Sequence, residues 1–194
     1  MGLQNLTIAK FQSIAAVELS DVFTQHEKRI GVLAAYHGIE VDAVLAWPIA
    51  KVVKVYRELI EEWNWLPELQ PRAKFKAGGK WYIGAKFVNE LTAGQMIELM
   101  SYNVKDEQAM VQNLHLILAS LTRECKYIRW AAEPYNGANH AKRAAHLQKH
   151  ATVGDIWGLI SFFLLITTEL SSSLAASSEQ QLKAKGNPTN GKHK

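Results

Sequence analysis

Three histidines, His140, His146 and His150, fall within eleven residues of a 194-residue chain. His146 and His150 are four apart, which sets two imidazoles on one helix face, as some metal sites require. No Asp or Glu lies inside the cluster, and Lys142, Arg143 and Lys149 surround it with positive charge that disfavours a cation. The stretch HLQKH also lacks the glutamate that a zinc hydrolase sets beside its first histidine. The expectation is a solvated basic face with no metal. On that face Lys142, Arg143 and Lys149 are the residues able to contact the phosphates of a nucleic acid.

Other groupings fail on spacing. Glu61 and Glu62 stand beside Trp63 and Trp65, but adjacent side chains on a helix point about 100° apart and do not converge on one substrate. Gly78-Gly79-Lys80 lacks the pattern of a nucleotide-binding loop. Cys125 is the single cysteine, which excludes an intramolecular disulfide and a cysteine-based zinc site. It becomes a thiolate only if a histidine approaches it in space. A site assembled from His37, Cys125 or the histidine cluster is the one enzymatic route left open. Otherwise the chain reads as non-enzymatic, with no catalytic residue and no cofactor.

The elements that must position these groups are mainly helices. Thr7 can cap a first helix, with Leu6 and Phe11 as a hydrophobic staple, and Ile8, Phe11, Ile14 and Ala15 share its apolar face. Ser20 or Asp21 can cap a second, carrying Val22, Phe23, Ile30, Leu33 and Ala34 and ended by Gly38. A short third helix runs from an Asp42 cap through Trp47. Pro48 then opens a fourth, with Val52, Tyr56, Leu59, Ile60 and Trp63 at helical spacing.

Pro67 and Pro71 bracket a linker. Lys74-Phe75-Lys76 and Lys80-Trp81-Tyr82-Ile83 flank Gly78-Gly79, a two-residue hairpin signal and the only strand signal in the chain. Thr92 with Gln95 then makes a capping box, and Leu91 with Met96 a second staple. The helix it starts shows Met96, Ile97, Leu99 and Met100, and a further one shows Met110, Val111, Leu114, Ile117, Leu118 and Leu121. An irregular connection and the basic histidine helix follow.

A shift of 85 residues aligns Leu6-Thr7 with Leu91-Thr92, Asp21 with Asp106, and Val32-Leu33-Ala34 with Ile117-Leu118-Ala119. The predicted fold is a mainly α, multi-helix domain with two similar helical halves, 1–66 and 91–176. A linker and β-hairpin, 67–90, lie between them, and 177–194 form a disordered basic tail with four lysines and no acid in its last twelve residues. The 48% hydrophobic content suits a globular protein, and the mild excess behind the net charge of +4 reads first as a solvated tail and second as loose association with nucleic acid or an acidic partner.

The run IWGLISFFLLITT, 156–168, sits between Asp155 and Glu169 and is too short for a membrane span of roughly 20 residues. No secretory signal or myristoylation pattern is expected. The run is apolar nearly all round. It is therefore either central to the core or covered by a partner, and Trp157, Phe162, Phe163, Leu165 and Ile166 are the candidate partner-binding residues.

Taken together, LTIAKFQSI, the helix stopped at Gly38, the KFKAGGKWYI hairpin leading into LTAGQMIEL, NLHLILASL and GLISFFLLI resemble a group of small helical proteins of tailed bacteriophages. These are tail- or baseplate-assembly proteins, chaperone-like or virion-associated, and the resemblance runs from about Leu6 to Leu174. It implies a non-enzymatic protein that binds a tail or baseplate structural protein, or itself. It implies a place in the host cytoplasm during assembly or in the virion, away from membrane. The alternative is a nucleic-acid-binding accessory protein using the basic helix and tail.

Overall fold

Side-chain oxygens set where the long helices begin. Thr7 accepts a hydrogen bond from the Lys10 N–H and starts α1 (Ile8–Glu18). Thr24 and Glu27 form a complete capping box at α2 (Gln25–His37), which Gly38 ends in the left-handed conformation at φ 66°. The start of α2 lies later than Ser20 or Asp21 because this box satisfies two otherwise orphaned N–H groups. Val22 and Phe23 are consequently left in the connection and are 87% and 46% exposed. α3 (Val41–Leu45) begins after Glu40, so Asp42 falls in its first turn and is not its cap. The Pro48 carbonyl accepts from Lys51 and Val52 at the start of α4 (Ile49–Asn64).

The hairpin forms as β1 (Lys74–Ala77) and β2 (Lys80–Gly84), with Phe75 opposite Tyr82 and both turn glycines at positive φ. The Thr92–Gln95 capping box starts α5 (Ala93–Ser101), and Asp106 caps α6 (Glu107–Leu121). On α5 only Leu99 of the four expected apolar positions is fully buried. Ile97 and Met100 face solvent at 71% and 47% exposure. α6 runs directly into a third strand, β3 (Thr122–Cys125), which pairs antiparallel with β2 and makes the sheet three-stranded. α7 (His140–His150) and α8 (helical residues 153–164) complete the structure. The computed structural model describes residues 2–64, 74–85, 87–102, 104, 106–125 and 132–164, so the expected linker around Pro67 and Pro71 and the tail 177–194 lie outside the described residues.

α6 is the central helix, with seven of its fifteen residues buried. Its last four carbonyls have no partner inside the helix, and no glycine caps them. Each is met from elsewhere. Thr122 Oγ1 donates to Leu118 O, Arg143 Nε to Ala119 O, Gln95 Nε2 to Ser120 O, and the Ala85 N–H to Leu121 O. This explains how a helix can turn into a strand without a break.

The main core joins Leu3, Phe11, Val32 and Leu59 to Leu99, Leu118, Leu147 and Ile160, so helices before and after the hairpin share it. The Ile8 N–H donates to Ala151 O and the Val153 N–H to Leu6 O, which ties the first residues to the α7–α8 junction. A smaller cluster of Ile30, Leu33, Ala34, Val44 and Val52 packs among α2, α3 and α4. Of the 85-residue correspondence, the Thr7 and Thr92 caps are both present, whereas Asp106 caps a helix and Asp21 does not. Among the described residues no helix is long and apolar enough to cross a membrane.

Gly84 is required by packing. A Cβ there would lie 2.5 Å from Leu159 Cδ2, so α8 rests directly on the β2 backbone. Gly84→Ala is expected to destabilise by about 1–3 kcal/mol through overpacking, read as a lowered urea midpoint at unchanged slope.

Candidate partner-binding groove

The histidines predicted from the sequence hold the fold. His146 Nε2 lies 3.0 Å from the Ala77 carbonyl oxygen, and its ring is 4.7 Å from that of His150. A Cβ on Gly78 would fall 2.6 Å from His150 Cγ and 2.7 Å from His146 Cε1, so the hairpin turn is seated on both imidazoles. Among the described residues no three His, Cys, Asp or Glu side chains are grouped to hold a metal. Lys142 and Lys149 are exposed, while Arg143 is half-buried with its Nε given to Ala119.

His140 belongs to a polar network that no sequence motif announced. Its Nε2 lies 3.0 Å from Ser120 Oγ, 3.0 Å from Tyr102 Oη, 3.1 Å from Leu116 O and 3.7 Å from Glu98 Oε2. Ser120 Oγ also donates to Glu98 Oε2 at 3.1 Å, and Tyr135 donates to the same carboxylate. Ser, His and Glu are all present, but a nucleophilic relay needs hydroxyl and carboxylate on opposite ring nitrogens. Here both face one nitrogen, and Ser120 is fully buried. The arrangement satisfies polar groups between α5, α6 and α7.

The other two groups considered for chemistry lie on different elements, His37 at the end of α2 and Cys125 in β3. Cys125 is buried in β3, and burial pushes its thiol up, away from the reactive thiolate. His37 packs edge-on against Tyr36 and Trp47, and burial, with Lys10 and Lys51 nearby, pulls its pKa down.

α8 divides its apolar residues between core and surface. Ile156, Leu159, Ile160 and Phe163 are at most 2% exposed, so Phe163 contributes packing and offers no free surface. Phe162 is half-buried against the core, and Leu165 and Ile166 lie outside the described residues. Trp157 faces elsewhere. With Leu164 it lines a groove of about 600 Å³ between α1, α4, α6 and α8.

Phe11 forms the floor of this groove. It stacks on Trp63 at 4.9 Å between centroids and meets Trp157 edge-on at 6.0 Å. Met110, Leu114 and Ile160 continue the apolar lining. Among the described residues the charged ones at its edge are Glu18, Asp106 and Glu107, all acidic, on a chain whose net charge is +4. Asp106 and Glu107 stand at the α6 N-terminus, where the helix dipole favours negative charge. The Tyr56 hydroxyl donates one hydrogen bond shared between both Glu18 carboxylate oxygens, each at 3.0 Å. Burial, reinforced by that carboxylate, holds the Tyr56 phenol up at about 12.

Sequence reasoning pointed to Trp157 but missed Phe11, Trp63 and Met110 as its companions. Each lies on the expected apolar face of its own helix, and only the packing of four helices brings them together. Comparison with protein-family models, curated proteins and solved structures found no match.

Proposed function

We propose that the protein is a non-catalytic binding protein whose groove receives the apolar ridge of an amphipathic helix from a partner, with basic residues flanking that ridge. The observation that carries this reading is the pairing of an aromatic floor, Phe11 with Trp63 and Trp157, with an edge whose charged residues, among those described, are Glu18, Asp106 and Glu107. Helix-in-groove recognition needs an apolar trough for residues at helical spacing, and charge complementarity at the rim selects the flanks. The volume lies within the roughly 300–1,000 Å³ range of specific binding clefts. The sequence resemblance to assembly proteins of tailed bacteriophages suggests a tail or baseplate structural protein as the source of such a helix. The groove replaces the evenly greasy α8 surface as the contact, with Trp157 retained from the sequence expectation.

Two model peptides of about 15 residues, each with a leucine ridge, test the reading. One carries lysine flanks and the other glutamate flanks, and both are titrated against the full chain by calorimetry. The lysine peptide is expected to bind at least about tenfold more tightly. Met110→Glu is expected to abolish that binding by placing a charge against the apolar ridge. Equal affinity for the two peptides, or binding that survives Met110→Glu, contradicts the proposal.

A further inference from the structure

A second cavity, of about 190 Å³, lies between the β2–β3 face and the start of α7. Its charged lining is Lys80, Arg123, Lys142 and Arg143 against Glu124 and Glu133, so four cations face two carboxylates. Lys80 and Glu124 are already paired at 2.8 Å. Arg143 is constrained on two sides: its Nε donates to Ala119 O at 2.8 Å, and its guanidinium lies 4.9 Å from the Tyr135 ring centroid. Its Nη2 is shut off from solvent. A guanidinium that water solvates poorly gains more Coulomb energy from an anion held in the adjoining cavity than an exposed one does. Burial pulls the Arg143 pKa down and pushes that of Tyr82 up, so the guanidinium is poorly solvated while the phenol beside it stays a donor. The Asn136 and Asn139 amides also line the space.

We infer that this cavity binds a small dianion of the phosphate class, held by Arg143 and Lys142 with Arg123 at its side. The excess of cations in the lining favours an anion over a cation, with Glu98 beside Arg143 as a further carboxylate nearby, and the volume falls below the roughly 300 Å³ at which drug-sized ligand sites begin. The site is separate from the groove between α1, α4, α6 and α8, and the inference stands without that reading. It also changes the meaning of the basic helix, because Lys142 and Arg143 line a defined cavity that does not include Lys149.

The test is titration of the full chain with inorganic phosphate in about 0.15 M chloride, followed by calorimetry and by the Arg143 Nε–H resonance. Saturable binding of one phosphate per chain is expected. It should be weakened about tenfold in Arg143→Gln and in Lys142→Gln and unchanged in Lys149→Gln. Lys142 is exposed, so its variant reports on binding even if Arg143→Gln fails to fold. Absence of saturable binding overturns the inference, and so does wild-type affinity in Lys142→Gln. Loss in Lys149→Gln equal to that in Lys142→Gln also overturns it, because that pattern describes a diffuse basic surface of the kind that attracts nucleic acid.

Discussion

Phe11→Ala is expected to lower the unfolding free energy by about 3–5 kcal/mol, the largest effect of any single change considered. The ring is 2% exposed and sits at the meeting of α1, α4 and α8. Its removal deletes a stacked contact with Trp63 and an edge contact with Trp157 as well as the buried area itself. The groove floor also collapses, so tryptophan emission should shift to the red in the folded variant. Urea unfolding followed by circular dichroism gives the stability, and a loss below about 1 kcal/mol would mean that Phe11 does not bridge the helices as described.

Gln95→Ala is expected to cost about 2–4 kcal/mol, unusually large for a polar residue. Gln95 is 1% exposed and acts at both ends of its amide. Its Oε1 accepts from the Thr92 N–H at 3.0 Å, completing the α5 capping box, and its Nε2 donates to Ser120 O at 2.6 Å. Without it a carbonyl at the buried end of α6 loses its partner. Gln95→Glu separates the two roles, because a carboxylate still accepts from Thr92 but cannot donate to Ser120. Burial raises that carboxyl above its unfolded value. The stabilising proton is therefore fully held below about pH 4 and lost as pH rises through the higher folded pKa. Gln95→Glu should accordingly be more stable in mild acid than at neutral pH, relative to wild type, in thermal melts across that range.

The elements legible in the sequence are those written in a few adjacent residues. The Thr7 cap, the Gly38 stop, the Gly78-Gly79 turn and the Thr92–Gln95 box all appear where their spacing puts them. Val22 and Phe23 fit an apolar period, but Thr24 and Glu27 supply a complete cap just after them, and that local bonding sets the helix start. β3 carries no signal of its own. Four residues directly after a helix show no alternation, and the strand exists because β2 offers it an edge.

The sites were harder to read for the same reason. Trp157 was visible as a surplus aromatic on an apolar helix. Its partners Phe11 and Trp63 each belong to another helix and looked like ordinary core. Glu98, Ser120 and His140 are spread over 43 residues and meet only because α5, α6 and α7 pack together. Arg143 looked like a surface cation in a basic run. Its burial follows from the unpaired Ala119 carbonyl it serves, which no pattern in its own helix reveals.

The claim that the groove between α1, α4, α6 and α8 is where a partner helix docks is tested most directly by locating a bound peptide. With the lysine-flanked leucine peptide bound to methyl-labelled protein, intermolecular NOEs are predicted from the peptide leucines to Met110, Leu114 and Leu164, which line the groove. NOEs confined instead to Ile49 and Val53 on the outer face of α4, with none to Met110 or Leu114, would contradict the account.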